Sequence, residues 1–231
     1  MNFSQLTITI FLNKDIPFNE SGEFIGNIIS STMLLEDSLK EMHEKKAYKY
    51  VYDSFYPIEK SKIYEKGRIY VFNIRSFNSY FVSNMKKLLP LAKSNDFKII
   101  AVEERRIRQK FITELYTKTA AIVTVDSKPW LLKDGDLMFL QKRLQDNLEK
   151  KFKDIYGEAI DIKQSFIQRI DVINKKPISF KYKNVHLLGN KFKIVINEDE
   201  QSQKLAFIAL GMGLGEKGSS VGAGYCHANY L

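Results

Sequence analysis

The sequence predicts an α+β protein made of two tandem ferredoxin-like (RRM-like) domains, each with the element order β-α-β-β-α-β, and a C-terminal glycine-rich loop. Three observations support this. Segments with apolar residues at every second position alternate with segments of helical period, the order of these segments repeats once, and six of the twelve glycines lie between residues 211 and 224. A chain of 231 residues has room for two such domains, which we predict at residues 1–112 and 118–231.

The first half contains four predicted strands and two predicted helices. Residues 3–12 alternate apolar and polar side chains, which predicts a strand rather than a signal sequence. Residues 23–42 predict one long helix whose apolar face carries Phe24, Ile28, Leu35, Leu39 and Met42. The remaining predicted elements are strands at residues 48–56 and 68–77, a helix from residue 79 that ends near Pro90, and a strand from residue 96.

The second half repeats this order. The apolar run at residues 120–126 predicts its first strand, and an apolar stripe over residues 136–156 predicts its longest helix, capped by Asp134 or Asp136. The two halves are predicted to join near residues 110–118. The remaining predicted elements are a strand at residues 161–172, a hairpin around Gly189 and Asn190, a short helix from residue 203, and a closing strand at residues 223–231.

The charge balance points to a partner rich in phosphate. The chain has 36 Lys and Arg against 27 Asp and Glu, a net charge of +9, and a sequence pI of about 9.3. We favour nucleic acid over a membrane surface, because no long basic amphipathic helix stands out and no apolar run approaches the length of a membrane span. The single cysteine, Cys226, excludes an internal disulfide and a cysteine metal cluster. We therefore expect a cytoplasmic protein.

The glycine-rich loop is the most unusual segment. Glycine lets a backbone turn sharply or approach a ligand closely, and bare N–H groups can bind phosphate, so we expect a phosphate- or RNA-binding role. A helix C-cap followed by a flexible turn would explain one or two glycines, but six are harder to explain in that way. A dinucleotide-binding loop is excluded, because such a loop follows a strand, whereas this one follows a predicted helix.

Two stretches carry a resemblance to a known family. The loop has two GxG arms, at residues 213–215 and 222–224, around a spacer that begins Glu216-Lys217. At the end of the first predicted helix, His43 is followed by Glu44 and, six positions after the histidine, by Lys49. With the tandem architecture, these patterns resemble the CRISPR-associated endoribonucleases that cut precursor CRISPR RNA within its repeats, the Cas6 family of the RAMP superfamily.

The resemblance implies a metal-independent ribonuclease without a cofactor. In the family reaction, the ribose 2′-OH attacks the adjacent phosphate and leaves 2′,3′-cyclic phosphate and 5′-OH ends. Histidine suits the proton transfer, because the ordinary pKa of its side chain is near 6.5, and lysine suits the developing phosphorane charge. His43 is thereby implied as general base or acid and Lys49 as the charge-stabilising group. No HExxH, no zinc pattern and no persuasive set of carboxylates for two metals is present in the sequence.

The sequence departs from the family pattern at one position. Active members often carry a catalytic tyrosine in the first helix, and residues 24–34 contain none. Ser30 or a neighbour lies roughly where that tyrosine would be, so Ser30 is the third candidate catalytic residue. Three explanations stay open: the third role is dispensable, Tyr48 or Tyr50 supplies it, or the enzyme is slow.

The expected partner is CRISPR repeat RNA. The basic segment at residues 175–193 is predicted to grip RNA as a hairpin, although a lysine-protected edge strand explains it equally well. Attachment to a CRISPR effector complex and homodimerisation remain open, and we expect no membrane partner. The candidate RNA-binding residues are Gly213, Gly215, Lys217, Ser219, Ser220, Gly222 and Gly224 in the loop, and Lys181, Lys183, Lys191 and Lys193 in the basic segment.

Two other functions stay open. A non-catalytic RNA-binding subunit of a CRISPR effector complex would share the fold, the charge and the loop, but it would not need His43 or Lys49. An unrelated protein with two RRM-like halves is the weaker alternative, because no RNP-type aromatic segment stands out. We interpret His186 and His227 as structural, with His227 as the reserve catalytic candidate because it lies beside the loop.

Overall fold

The computed structural model describes residues 1–45 and 48–231, which contain two four-stranded antiparallel sheets. The strands of the first half are β1 (Asn2–Leu12), β2 (Ile16–Pro17), β3 (Tyr50–Tyr52), β4 (Ile63–Tyr64), β5 (Ile69–Ser76) and β6 (Phe97–Arg108), and its helices are α1 (Ser21–Met33), α2 (Asp37–Glu44) and α3 (Ser79–Leu88). The strands of the second half are β7 (Ile112–Thr117), β8 (Thr124–Val125), β9 (Lys128–Pro129), β10 (Ile167–Val172), β11 (Ile178–Tyr182), β12 (Val185–Gly189), β13 (Phe192–Ile196) and β14 (Cys226–Tyr230), and its helices are α4 (Leu137–Tyr156), α5 (Glu200–Met212) and α6 (Gly218–Val221).

Both sheets have the strand order of a ferredoxin-like unit. The first sheet is ordered β3-β5-β1-β6 and the second β10-β13-β7-β14. In each, the first strand of the unit is flanked by its third and fourth strands, and the helices follow the first and third strands. The predicted α+β class and the tandem ferredoxin-like fold are therefore confirmed.

Helix α5 packs between the two halves. Every residue from Leu205 to Met212 is buried, as expected for a helix that is covered on all sides. The helix contacts β7, β13 and β14 of its own sheet and β3 and β5 of the first sheet. On β1, Phe3 packs against Phe207 with ring centroids 5.0 Å apart. Since α5 ends at Met212, the glycine-rich loop begins at the boundary between the two halves.

The single helix predicted at residues 23–42 is wrong, because the chain forms α1 and α2 instead. Glu36 has an extended backbone, and its carboxylate accepts the amide of Leu39, which starts a new helix. Leu35, which the helical pattern predicts on the buried face, is 54% exposed in the connection between α1 and α2.

The strand predicted at residues 120–126 is also wrong. The first strand of the second sheet is β7, which lies within the segment predicted as the link between the halves. The apolar run is nevertheless buried: Ala121 exchanges two backbone hydrogen bonds with Asn190, and the carbonyl of Ile122 accepts the amide of Glu216. The run is apolar because it packs beneath the glycine-rich loop, and only residues 124–125 belong to a strand.

The predicted hairpin turn at Gly189 and Asn190 lies elsewhere. The hairpin is formed by β11 and β12 and turns at residues 183–184, with Lys183 at φ 55°. A Cβ at Gly189 would lie 2.6 Å from the carbonyl oxygen of Ala121, so this glycine permits close backbone approach.

The other predicted helices and strands are present, with shifted ends. The helix at α4 is capped by Asp136, whose carboxylate accepts the amide of Phe139 at 2.9 Å.

Candidate functional site

His43 lies near the end of α2, beside residues of the second half of the chain. The buried side chain of Leu39 anchors this short helix in the core of the first half. Lys46 and Ala47, between His43 and Lys49, lie outside the described residues. The position of His43 therefore depends on the Glu36 cap and on the Leu39 anchor, both of which belong to α2 itself.

The hydroxyl of Tyr48 fixes the imidazole of His43. The Tyr48 oxygen lies 3.0 Å from His43 Nδ1, and its hydroxyl donates to the His43 carbonyl oxygen at 3.2 Å. A carbonyl only accepts, so the hydroxyl proton is used there, and Nδ1–H must donate to the hydroxyl oxygen for both bonds to exist. In the neutral imidazole, this arrangement leaves Nε2 with a lone pair that can take up a proton. Burial, and secondarily the neighbouring Tyr182, raise the pKa of Tyr48, so its hydroxyl keeps its proton.

Helix α1 approaches the glycine-rich loop closely because two glycines face it. A Cβ at Gly22 would lie 2.3 Å from the carbonyl oxygen of Val221, and a Cβ at Gly26 would lie 2.9 Å from that of Ser220. Residues at i, i+4 and i+8 share a helix face, so Ser30 follows Gly22 and Gly26 on the same side of α1. The two glycines therefore bring Ser30 to the edge of the loop.

One open groove is lined by residues from both halves, including many of the predicted site residues. Its volume is about 630 Å³. An imidazole, ammonium groups and hydroxyls in one groove are the groups that a phosphodiester reaction needs for proton transfer and charge stabilisation. The predicted residues that line the groove are Ser30, His43, Lys183, Lys217, Ser219 and Ser220, and Glu23, Gly26, Asn27, Glu44, Tyr48 and Tyr182 complete it.

The loop glycines allow its two arms to pack against each other and against the first half. A Cβ at Gly224, which has φ 73°, would lie 1.9 Å from the carbonyl oxygen of Leu214, and the amide of Leu214 donates to the carbonyl of Gly224 at 2.8 Å. The four glycines of the GxG arms, Gly213, Gly215, Gly222 and Gly224, are all buried. The accessible part of the loop is residues 216–220, which we call the loop crest; it carries Lys217, Ser219 and Ser220.

Lys49 does not line the groove. Its ammonium donates to the carbonyl oxygen of Asp154, near the end of α4, at 2.6 Å. The structure therefore brings His43 and Ser30 to one groove but holds the Lys49 ammonium at the end of α4. Tyr50, the other tyrosine considered for the third role, is buried, and its hydroxyl lies 3.4 Å from the carbonyl oxygen of Ser219.

The four lysines of the basic segment do not form one surface. Lys181 is paired with Glu20 at 2.8 Å, and Lys183 reaches the groove because its amide donates to the Glu23 carboxylate at 2.7 Å. Lys193, on β13, is paired with Glu114 at 2.8 Å. Lys191 lines a different pocket together with Lys118, and burial lowers its pKa.

The two other histidines lie away from the groove. His186 is exposed on the hairpin, with Nδ1 3.0 Å from the Ser179 hydroxyl oxygen. His227, on β14, stacks on Tyr116 with ring centroids 5.5 Å apart. Burial lowers the pKa of His227, and the charges of Arg75 and Lys118 act in the same direction.

Sequence reasoning missed residues that hold the site together from a distance. Arg75 is buried and donates to the carbonyl oxygens of Leu210 at 2.9 Å and Cys226 at 2.7 Å, which ties β5 to α5 and β14. Lys151 donates from α4 to carbonyls of the glycine-rich loop. Nothing in the sequence distinguishes these two from other basic residues. A signal was available only for the close approach of α1 to the loop: Gly22 and Gly26 are four residues apart, one just before and one within the helix predicted at residues 23–42.

Neither a metal-binding cluster nor a membrane-spanning helix is found among the described residues. No group of three or more His, Cys, Asp or Glu side chains is placed to hold a metal ion within residues 1–45 and 48–231. In the same part of the chain, no helix has both the length and the apolar character needed to span a membrane.

Comparison with known protein families identifies the chain. Residues 103–227 match the family described as CRISPR associated protein Cas6, C-terminal, and this range covers more than half of the 231 residues. The chain belongs to the Cas6 family. Cas6 proteins are RNA endonucleases, and membership supports a CRISPR-related role in RNA processing or RNA binding. A search of curated proteins found no match.

Several solved structures share the fold of this chain. A CRISPR associated protein Cas6 is 19% identical, with a TM-score of 0.75, over 98% of this chain and 99% of that chain. A Cas6-related protein from Pyrococcus furiosus is 18% identical, with a TM-score of 0.73, over 98% of each chain. A RAMP protein that binds different RNA substrates is 15% identical, with a TM-score of 0.73, over 98% of this chain and 99% of that chain. At these identities, the likeness shows the fold.

Proposed function

We propose that this Cas6 protein is a metal-independent endoribonuclease that cleaves the repeat RNA of a precursor CRISPR transcript and so produces mature CRISPR RNA. The observation that supports this most strongly is the groove in which His43 lies together with the loop crest. It combines a proton-transfer group from the first half with cationic and hydroxyl groups from the second.

The proposed reaction is a transesterification. The ribose 2′-oxygen forms a bond to phosphorus while its proton passes to a base, and the bond from phosphorus to the 5′-oxygen breaks while that oxygen gains a proton. The products are a 2′,3′-cyclic phosphate and a 5′-OH. His43 is the proposed proton-transfer group, and the lone pair on Nε2 suits it to act as the base.

Negative charge develops on the non-bridging phosphate oxygens and requires a cation. Lys217 on the loop crest and Lys183 on the hairpin line the groove and are candidates for this role. The family resemblance implies Lys49 instead, and for Lys49 to act its ammonium would first have to leave the Asp154 carbonyl. Ser30, Ser219 and Ser220 are proposed to orient the RNA backbone in the groove. The buried loop glycines shape the crest, and the backbone of the crest carries the proposed RNA contacts.

A non-catalytic RNA-binding subunit of a CRISPR effector complex is the second candidate. Two observations favour it: α1 carries Ser30 where active family members often have tyrosine, and Lys49 is turned away from the groove. Such a protein would bind repeat RNA through the same crest and leave it intact. The RAMP protein that binds different RNA substrates shows that RNA binding is a property of at least one structural neighbour.

Cleavage by a histidine variant separates the two candidates. We expect His43→Ala to bind repeat RNA with a dissociation constant close to that of the wild type and to cleave it about 10²–10⁴-fold more slowly. The matched control is His186→Ala, at the exposed histidine of the hairpin, which should bind and cleave as the wild type does. Equal cleavage by wild type and His43→Ala would remove His43 from the mechanism, and binding without cleavage by the wild type would favour the RNA-binding subunit.

A further inference from the structure

Lys151 connects α4 to the glycine-rich loop through three carbonyl groups. Its ammonium lies 2.8 Å from the carbonyl oxygen of Gly213 and 2.7 Å from that of Gly215, and 3.5 Å from that of Met212. An ammonium has three protons to donate and no lone pair, so this arrangement can use all three. The three acceptors belong to the last residue of α5 and to the first GxG arm.

Two of these carbonyls, those of Met212 and Gly213, lie at the C-terminal end of α5. The last carbonyls of a helix have no intrahelical partner and carry the negative end of the helix dipole, so a cation there is favourable. Gly213 and Gly215 have φ values of 79° and 72°, so the chain turns away from the helix axis at both positions. Lys151 therefore bonds to the segment where the backbone leaves α5 and bends toward the loop crest.

Burying the charge of Lys151 in the pocket between α4 and the loop carries a desolvation cost. Burial lowers the pKa of its ammonium to about 8, and the charge of Glu216 on the loop crest partly offsets this effect. The other titratable groups that line this pocket are Tyr48, Tyr50 and the exposed Lys217. Burial raises the pKa values of both tyrosines, and it raises that of Cys226 to about 12, so the three are neutral near pH 7. A methionine at this position would avoid the desolvation cost but would leave the carbonyls without a donor.

We propose that Lys151 is a positioning residue for RNA recognition: it fixes the first GxG arm to α4 and so holds the loop crest, with Lys217 and the two serines, in the conformation that meets RNA. The role in RNA recognition rests on the proposed function, whereas the attachment of the loop to α4 does not. Lys151 itself lies beneath the crest, in a small pocket next to the groove, and is not proposed to contact the reacting phosphate.

Hydrogen exchange without RNA tests the attachment directly. The amides of Leu214 and Glu216 donate to the carbonyls of Gly224 and Ile122, both at 2.8 Å, and report whether the arm stays in place. In Lys151→Met, we expect both amides to exchange at least tenfold faster, while the amides of β1 exchange as in the wild type. The matched control is Lys150→Met, which removes the exposed lysine next to it on α4. Lys151→Arg, which keeps the charge and the donors, should restore slow exchange at least in part.

Repeat RNA then tests the consequence. We expect Lys151→Met to bind RNA at least tenfold more weakly and to cleave it more slowly even at saturating RNA, because the crest carries Lys217, with Lys150→Met like the wild type and Lys151→Arg in between. Unchanged exchange of Leu214 and Glu216 in Lys151→Met overturns the proposal, as does unchanged RNA affinity alongside faster exchange. If the wild type itself binds no repeat RNA, the proposed function fails, and the exchange rates still decide whether Lys151 holds the loop.

Discussion

Replacing Tyr48 by Phe tests how the imidazole of His43 is oriented. The change removes one oxygen and keeps the ring. It deletes the hydroxyl that lies 3.0 Å from His43 Nδ1 and donates to the His43 carbonyl oxygen at 3.2 Å. Without that oxygen, Nδ1 loses the partner that keeps its proton there. Part of the population can then place the proton on Nε2, where it blocks the uptake of the 2′-OH proton.

The size of the effect follows from the bond that is lost. A hydrogen bond between neutral groups contributes about 1 kcal/mol, which corresponds to about a fivefold change in rate. We therefore expect the single-turnover cleavage rate of Tyr48→Phe to fall about fivefold, with the RNA dissociation constant within twofold of the wild type. The effect should be smaller than that of His43→Ala, because the imidazole stays in place and only its tautomer and orientation are affected.

The assay is single-turnover cleavage of repeat RNA at saturating protein, with affinity measured separately on RNA that cannot be cut. Tyr56→Phe is the matched control, because Tyr56 is 60% exposed and does not line the groove. An unchanged cleavage rate in Tyr48→Phe would refute the orienting role. A large loss of affinity would instead assign Tyr48 to RNA binding.

Three further predictions concern stability. Gly224→Ala should lower the free energy of unfolding, measured in urea, by about 2–5 kcal/mol, because it places a methyl group 1.9 Å from the Leu214 carbonyl oxygen on a left-handed backbone. The control Gly67→Ala, at φ 81° with open space around it, should lower it only by the backbone cost, about 1–2 kcal/mol. Equal losses in the two variants would contradict the packing argument. Asp53→Ala should lower the free energy of unfolding by about 3–5 kcal/mol, because Asp53 is fully buried and its removal leaves the Lys118 ammonium, 2.6 Å away, without its carboxylate partner. A loss below 1 kcal/mol would show that this ion pair is dispensable. The pKa of Lys151 is lowered to about 8 in the folded protein and is about 10.4 in an unfolded chain, so the unfolded state binds more protons between these pH values. The free energy of unfolding of the wild type, relative to that of Lys151→Met, should therefore rise by about 1–3 kcal/mol from pH 8 to pH 10.5. Parallel pH profiles of the two proteins would contradict the burial of the charge.

The fold could be predicted from the sequence because its signals are local and repeated. The alternation in β1 extends over an 11-residue strand and the apolar stripe of α4 over a 20-residue helix, and both elements lie nearly where the patterns predict them. The errors came from tertiary packing. Residues 120–123 are apolar because they lie under the glycine-rich loop, and a buried irregular segment has the same composition as a buried strand.

The site was predictable only in part. The resemblance of the His43 segment and of the glycine-rich loop to a known family pointed to residues that the fold brings to one groove, although the two segments are far apart in sequence. The direction of the Lys49 side chain could not be predicted, because it depends on the Asp154 carbonyl at the end of α4, which is distant in sequence. The role of the glycines was also beyond the sequence, because close packing and phosphate binding both require a residue without a side chain.

The most direct test of the account is the cleavage of repeat RNA in excess EDTA, with a matched RNA that carries 2′-deoxyribose at the cut site. We predict that the wild type cuts the ribose form and leaves a 2′,3′-cyclic phosphate, that the deoxy form stays whole, and that His43→Ala binds the ribose form and cuts it about 10²–10⁴-fold more slowly. Tight binding of the ribose form that leaves it intact, or cleavage of the deoxy form, would contradict transesterification in the His43 groove.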